Sequence, residues 1–84
     1  MSIIETVVTI PASLEANIFG QFDQHVKRIE KTLNVTIISR EGNIKVLGSE
    51  HSSRKAAQII ESLAALAKAG NTITEQNVDY ALAL

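Results

Sequence analysis

The chain has 84 residues, a net charge of −1 and 45% apolar content, with only three aromatic residues. That size makes one domain able to bury a core without metal or disulfide support, and the apolar share excludes a disordered segment. With no cysteine there is no disulfide framework, thiolate metal site or thiol nucleophile. No apolar run reaches the roughly 18–20 residues of a membrane span, and MSIIETVV lacks the basic start and long apolar core of a secretory signal. A reducing cytoplasm, away from membranes, is the expected setting.

The near-neutral total hides an asymmetry. From Gln21 to Lys55 there are seven basic residues against four acidic ones, together with both histidines; the rest of the chain has one base against five acids. The middle is therefore +3 and the ends together −4. A local positive field of this kind attracts polyanions even on a neutral protein, although an ordinary solvated surface has the same composition.

In chain order, IETVVTI is a short β-branched run ended by Pro11, which has no N–H for a ladder bond, so a strand is predicted at 5–10. Ser13 is placed to cap a short helix, 14–19, that stops at Gly20. After Asp23 the apolar positions Val26, Ile29 and Leu33 recur at spacings of three and four, with Phe22 four before Val26 extending the stripe. This predicts an amphipathic helix over 24–33 with one buried face. His25 is assigned to the exposed side of that helix.

Asn34 ends the helix, and VTIISR and NIKVLG read as strands over 35–40 and 43–48, joined by a turn around Glu41-Gly42-Asn43, a hairpin signal. A long alanine-rich helix follows over 50–69, with Ala56, Ile59, Ile60, Leu63, Leu66 and Ala67 toward the core, His51 in its first turn and Gly70 as its stop. A last helix is predicted over 75–83. Thr74 as its cap sets Ile73 and Val78 as a hydrophobic staple, while Thr72 with Glu75 is a rival capping box. The economical arrangement is α+β: one three-stranded sheet with helices on one face.

Chemical motifs are absent. The sequence has no GxxxxGK[ST] phosphate loop, GxGxxG, GxSxG or HExxH, and the two histidines lie far apart. Neither a metal site nor an acid–base pair is indicated. Tyr80 is expected at the core or a packing edge, and at least two of the three aromatics inside, which leaves no aromatic platform for bases. No enzyme activity is expected of this chain by itself.

Helix, Gly20-Gln21-Phe22-Asp23, helix, strand resembles the K-homology (KH) fold, whose GxxG turn brings backbone close to about four nucleotides of single-stranded RNA or DNA. There the first N–H groups of the second helix face phosphate. The predicted order β-α-α-β-β-α is similar to the type I form, with an extra C-terminal helix. Along residues 5–84, FGQFDQHVKRIEKTLNVTIISREGNIKVLGS, the alanine-rich helix and GNTITEQNVDYAL together resemble the N-terminal domain of PhoH-like proteins. The resemblance implies that residues 1–84 are a single KH-like domain of a longer cytoplasmic ATPase linked to RNA metabolism and phosphate starvation. The following P-loop domain, which would use ATP and Mg, is absent from this chain.

Where a KH clamp has its second glycine, this chain has Asp23. As a helix N-cap its carboxylate would accept from the backbone N–H of the second or third helical residue, worth about 1 kcal/mol. As part of a clamp it would compete for those N–H groups and repel phosphate. The candidate nucleic-acid-binding residues are thus Gly20, Gln21, Phe22 and Asp23 in the turn and Lys27, Arg28, Lys31 and Arg40 as phosphate partners, with Lys45 near the other wall. They would give weak, salt-sensitive contact with single-stranded RNA. The rival reading is a protein-interaction module that docks on the ATPase domain or assembles subunits, through the surplus apolar positions of AALAKAG and YALAL.

Overall fold

The β-branched run before Pro11 forms strand β1 (Ile4–Thr9) in a computed structural model that describes residues 2–84. A 3-10 turn, Ala12–Leu14, leads into helix α1 (Glu15–Phe19), so Ser13 lies inside the turn and does not cap the helix; no side chain caps either element. Helix α2 (Gln24–Leu33), strands β2 (Thr36–Arg40) and β3 (Asn43–Gly48), helix α3 (Glu50–Lys68) and helix α4 (Glu75–Ala83) complete the chain. This is the β-α-α-β-β-α order of the type I KH-like fold, with α4 appended.

The sheet is antiparallel, with β3 between β1 and β2. Alternation puts Val8, Ile44, Val46 and Ile37 toward the helices and Val7, Lys45, Ile38 and Arg40 on the open face. The hairpin turn itself is Glu41-Gly42, with φ of 52° and 85°, and Asn43 already pairs with Arg40. Two central residues with positive φ match the right-handed twist of the strands. The turn thus fills the gap between the predicted strands 35–40 and 43–48, with Asn43 the first residue of β3.

Helix α3 begins at Ser49, whose hydroxyl accepts from the Ser52 N–H at 3.2 Å. It ends in a Schellman motif, the Asn71 N–H donating to the Leu66 carbonyl at 3.1 Å and the Gly70 N–H to Ala67 at 3.0 Å. Its alanines Ala56, Ala57, Ala64 and Ala67 are buried, which lets the backbone approach the sheet, and Ile60 and Leu63 fill the centre with Ile18, Ile29, Ile44, Val46 and Val78. Leu66, expected inside, is 38% exposed, because α4 covers a neighbouring part of α3 and leaves that edge open. Thr74 caps α4: its hydroxyl accepts from the Asn77 N–H at 3.1 Å and Asn77 Oδ1 accepts from the Thr74 N–H at 2.9 Å. Ile73 and Val78 are both buried as the staple requires, and the rival box at Thr72 is not used.

Candidate nucleic-acid interface

The α1–α2 turn takes its shape from backbone torsions. Gly20, at φ 81° and ψ 169°, closes α1 through its N–H to the Ala16 carbonyl. Its own carbonyl accepts from the Asp23 N–H at 3.0 Å. Phe22 (φ 55°, ψ 30°) and Asp23 (φ 58°, ψ 26°) then stand in succession in the left-handed region. Each such residue other than glycine costs about 1–2 kcal/mol, less for aspartate than for phenylalanine. Asp23 makes no side-chain capping bond, so the expected N-cap is not formed. A cap residue normally has extended torsions, and the left-handed ones carry this carboxylate away from the first N–H groups of α2.

What holds the strained turn lies beneath it. His25, assigned to the solvent side from its polarity, is 3% exposed and its ring packs under Gly20. A Cβ on Gly20 would come within 2.5–2.9 Å of three ring atoms, so glycine is required there by contact as well as by torsion. His25 Nε2 lies 3.2 Å from the Ile73 carbonyl oxygen. That oxygen can only accept, so Nε2 carries the proton. Asn17 on α1 grips the same segment, accepting from the Ile73 N–H and donating to the Asn71 carbonyl, both at 2.9 Å. Strain persists where surrounding contacts over-determine the backbone, and here the segment before α4 supplies those contacts. The spacing held the signal: His25 is four before Ile29 and next to Val26, inside the buried stripe.

Phe22, expected to extend that stripe, is 83% exposed at the tip of the turn. The left-handed torsions turn it outward, and His25 takes the inner position. Tyr80 is 68% exposed as well, so Phe19 is the one buried aromatic of the three and the expectation of two fails.

The candidate cations separate into groups. Arg28 faces α4, where it bonds Glu75 at 2.9 Å and also pairs with Asp79. Arg40 lies on the open face of the sheet. Lys45, on the same face, is 3.9 Å from Glu5. Lys27 and Lys31 are exposed and one turn apart, on the stripe of α2 that continues from Asp23 and includes Glu30. Among the described residues neither lysine has a carboxylate partner within 4.0 Å. Glu30, on the same stripe, is engaged by β2, accepting from the Ile37 N–H at 2.9 Å, and Glu15 on α1 accepts from the Ser39 hydroxyl. The structure thus brings Gly20, Gln21, Phe22 and Asp23 together with Lys27 and Lys31, and sets Arg28 and Arg40 apart from them.

Fold and turn together define a small α+β domain of KH-like order whose GxxG position reads GxxD. No family model matches the chain. A PhoH-like protein of Bacillus subtilis (strain 168) is 39% identical over 66 residues, which are 79% of this chain and 21% of that protein. The chain is therefore similar to a PhoH-like protein domain, in keeping with the resemblance of residues 5–84, and spans about a fifth of that relative's length. A protein of unknown function from Aeropyrum pernix shares the fold, with a TM-score of 0.81 over 98% of this chain and 46% of its own, at 20% identity. No helix among the described residues is long and apolar enough to cross a membrane.

Proposed function

We propose that this chain is a nucleic-acid-contacting accessory domain of a PhoH-family ATPase, touching single-stranded RNA weakly through the α1–α2 turn. The observation that carries the reading is Phe22. A large apolar ring is 83% exposed at the turn where the KH-like fold has its nucleotide contact, held there by two successive left-handed residues. Strained backbone of this kind concentrates at ligand contacts, and an exposed ring gives an unstacked base a face to stack on. Lys27 and Lys31 then hold phosphate as point charges, while Gly20–Phe22 supply backbone at close range. Asp23 opposes the phosphate and keeps the contact weak. In the whole protein, ATP and Mg would belong to the P-loop domain.

Titration with a short single-stranded RNA at low and moderate salt tests this. Backbone shifts are expected around Gly20–Lys31, with binding that weakens as salt rises. Phe22→Ala and the pair Lys27→Gln, Lys31→Gln should each weaken it, and Arg28→Gln should leave it unchanged. Asp23→Gly should raise affinity, by about tenfold if roughly 1.4 kcal/mol of repulsion is relieved. Negligible binding by both wild type and Asp23→Gly at low salt would end the reading.

A further inference from the structure

Away from the residues of the α1–α2 turn, α3 and α4 leave a groove of about 1690 Å³. Buried Ile59 and Leu63 form its floor, and Leu66, Tyr80 and Leu84, all exposed, rise along it. It follows α3 from Ser49 to Leu66, about 25 Å at 1.5 Å per residue. The volume exceeds the roughly 300–1,000 Å³ of small-molecule sites, and the length and apolar floor suit a helix laid between two helices.

Charge along the groove is uneven. Arg54 and Lys55 stand with His51 at the α3 N-terminal end, where the helix dipole adds positive potential. Glu50 offsets one of the two charges through its bond to Arg54 at 2.8 Å and leaves Lys55 without a carboxylate partner among the described residues. Toward Leu66 the groove carries no charged side chain. A nucleic acid would need positive charge along the whole length; here it is confined to one end. We infer that the groove receives an amphipathic helix of a partner protein, apolar on the inner face and acidic where it meets His51, Arg54 and Lys55. This surface is separate from the α1–α2 turn, so the inference stands or falls independently of RNA binding.

The probe is a designed helical peptide of about 18 residues, with leucines along one face and glutamates at one end. Its control has lysines in place of the glutamates. NMR titration of the chain should show shifts at Arg54, Lys55, Leu63, Leu66 and Tyr80, and binding at least about tenfold tighter for the acidic peptide. Leu66→Glu should abolish binding and Lys55→Glu weaken it about fivefold; both residues are at the surface, so thermal melts should stay near wild type. Equal affinity for the two peptides, or shifts elsewhere, would overturn the inference. Sedimentation that showed a dimer disrupted by Leu66→Glu would assign the groove to a second copy instead, and groove shifts with RNA alone would assign it to nucleic acid. Either result overturns the proposal.

Discussion

Two turns in this molecule use consecutive positive-φ residues, and they do so for different reasons. In the β2–β3 hairpin, Glu41 and Gly42 take the torsions that strand twist demands of a two-residue loop, and Gly42 removes the strain from one of the two positions. The turn is also closed from outside, the Ile10 N–H donating to the Gly42 carbonyl at 2.8 Å. In the α1–α2 turn, Phe22 and Asp23 are both left-handed and neither is glycine. No strand twist asks for that geometry. Contacts from the Asn71–Ile73 segment hold it, and the outcome is an exposed phenylalanine. The first turn serves topology; the second keeps strain and leaves a large side chain exposed.

The largest effect tests the shared foundation. Ile29 is buried at the centre of α2's inner face, so Ile29→Ala should cost about 2–5 kcal/mol in chemical denaturation. The helix turn should lose amide protection before the hairpin does. A loss under about 1 kcal/mol would place that face of α2 against solvent, contrary to the packing described.

Next come the glycines. Gly42→Ala would drive a Cβ into the Ile10 carbonyl, and Gly20→Ala would drive one into the His25 ring. Each should cost about 1–3 kcal/mol, with Gly42→Ala the larger, because the backbone carbonyl of Ile10, directly after β1, has less room to yield than a ring edge. Equal melting temperatures for Gly20→Ala and wild type would mean that His25 does not fill the space beneath the turn.

A smaller change has the opposite sign. Phe22→Gly relieves left-handed strain while losing almost no buried area, so it should stabilise by about 0.5–1 kcal/mol after the added entropy of the unfolded chain. The same variant should lose RNA contact, a trade between stability and function confined to one residue. Destabilisation by Phe22→Gly would mean that the ring makes a contact in solution and is not presented freely.

The smallest effect separates the cations. Arg28→Ala breaks two exposed ion pairs to α4 and should cost about 1 kcal/mol or less. Lys27→Ala should cost nothing measurable in a thermal melt. If Lys27→Ala were the more costly, the assignment of Arg28 to structure and Lys27 to ligand would be reversed.

Element order and the core stripes were open to sequence reading because they are local. Spacings of three and four in Val26, Ile29 and Leu33, alternation in Ile44 and Val46, and the cap at Thr74 each need only neighbours within a few residues. These fix which faces are apolar, and an apolar face has few ways to be buried in so short a chain. The α1–α2 turn could not be read that way. Its geometry depends on bonds from Asn17 and His25 to residues 48 to 56 positions away. Polarity argued for His25 outside and Phe22 inside; a carbonyl at Ile73 and the space beneath Gly20 reversed both. Asp23 looked like a cap because Asp at that spacing usually is one, yet left-handed torsions removed its carboxylate from the N–H groups. Sequence alone determined the α+β order and the buried stripes, since periodicity is set along the chain. Tertiary structure decided which side chains the turn conceals and which it presents, since that choice belongs to partners brought together only by folding.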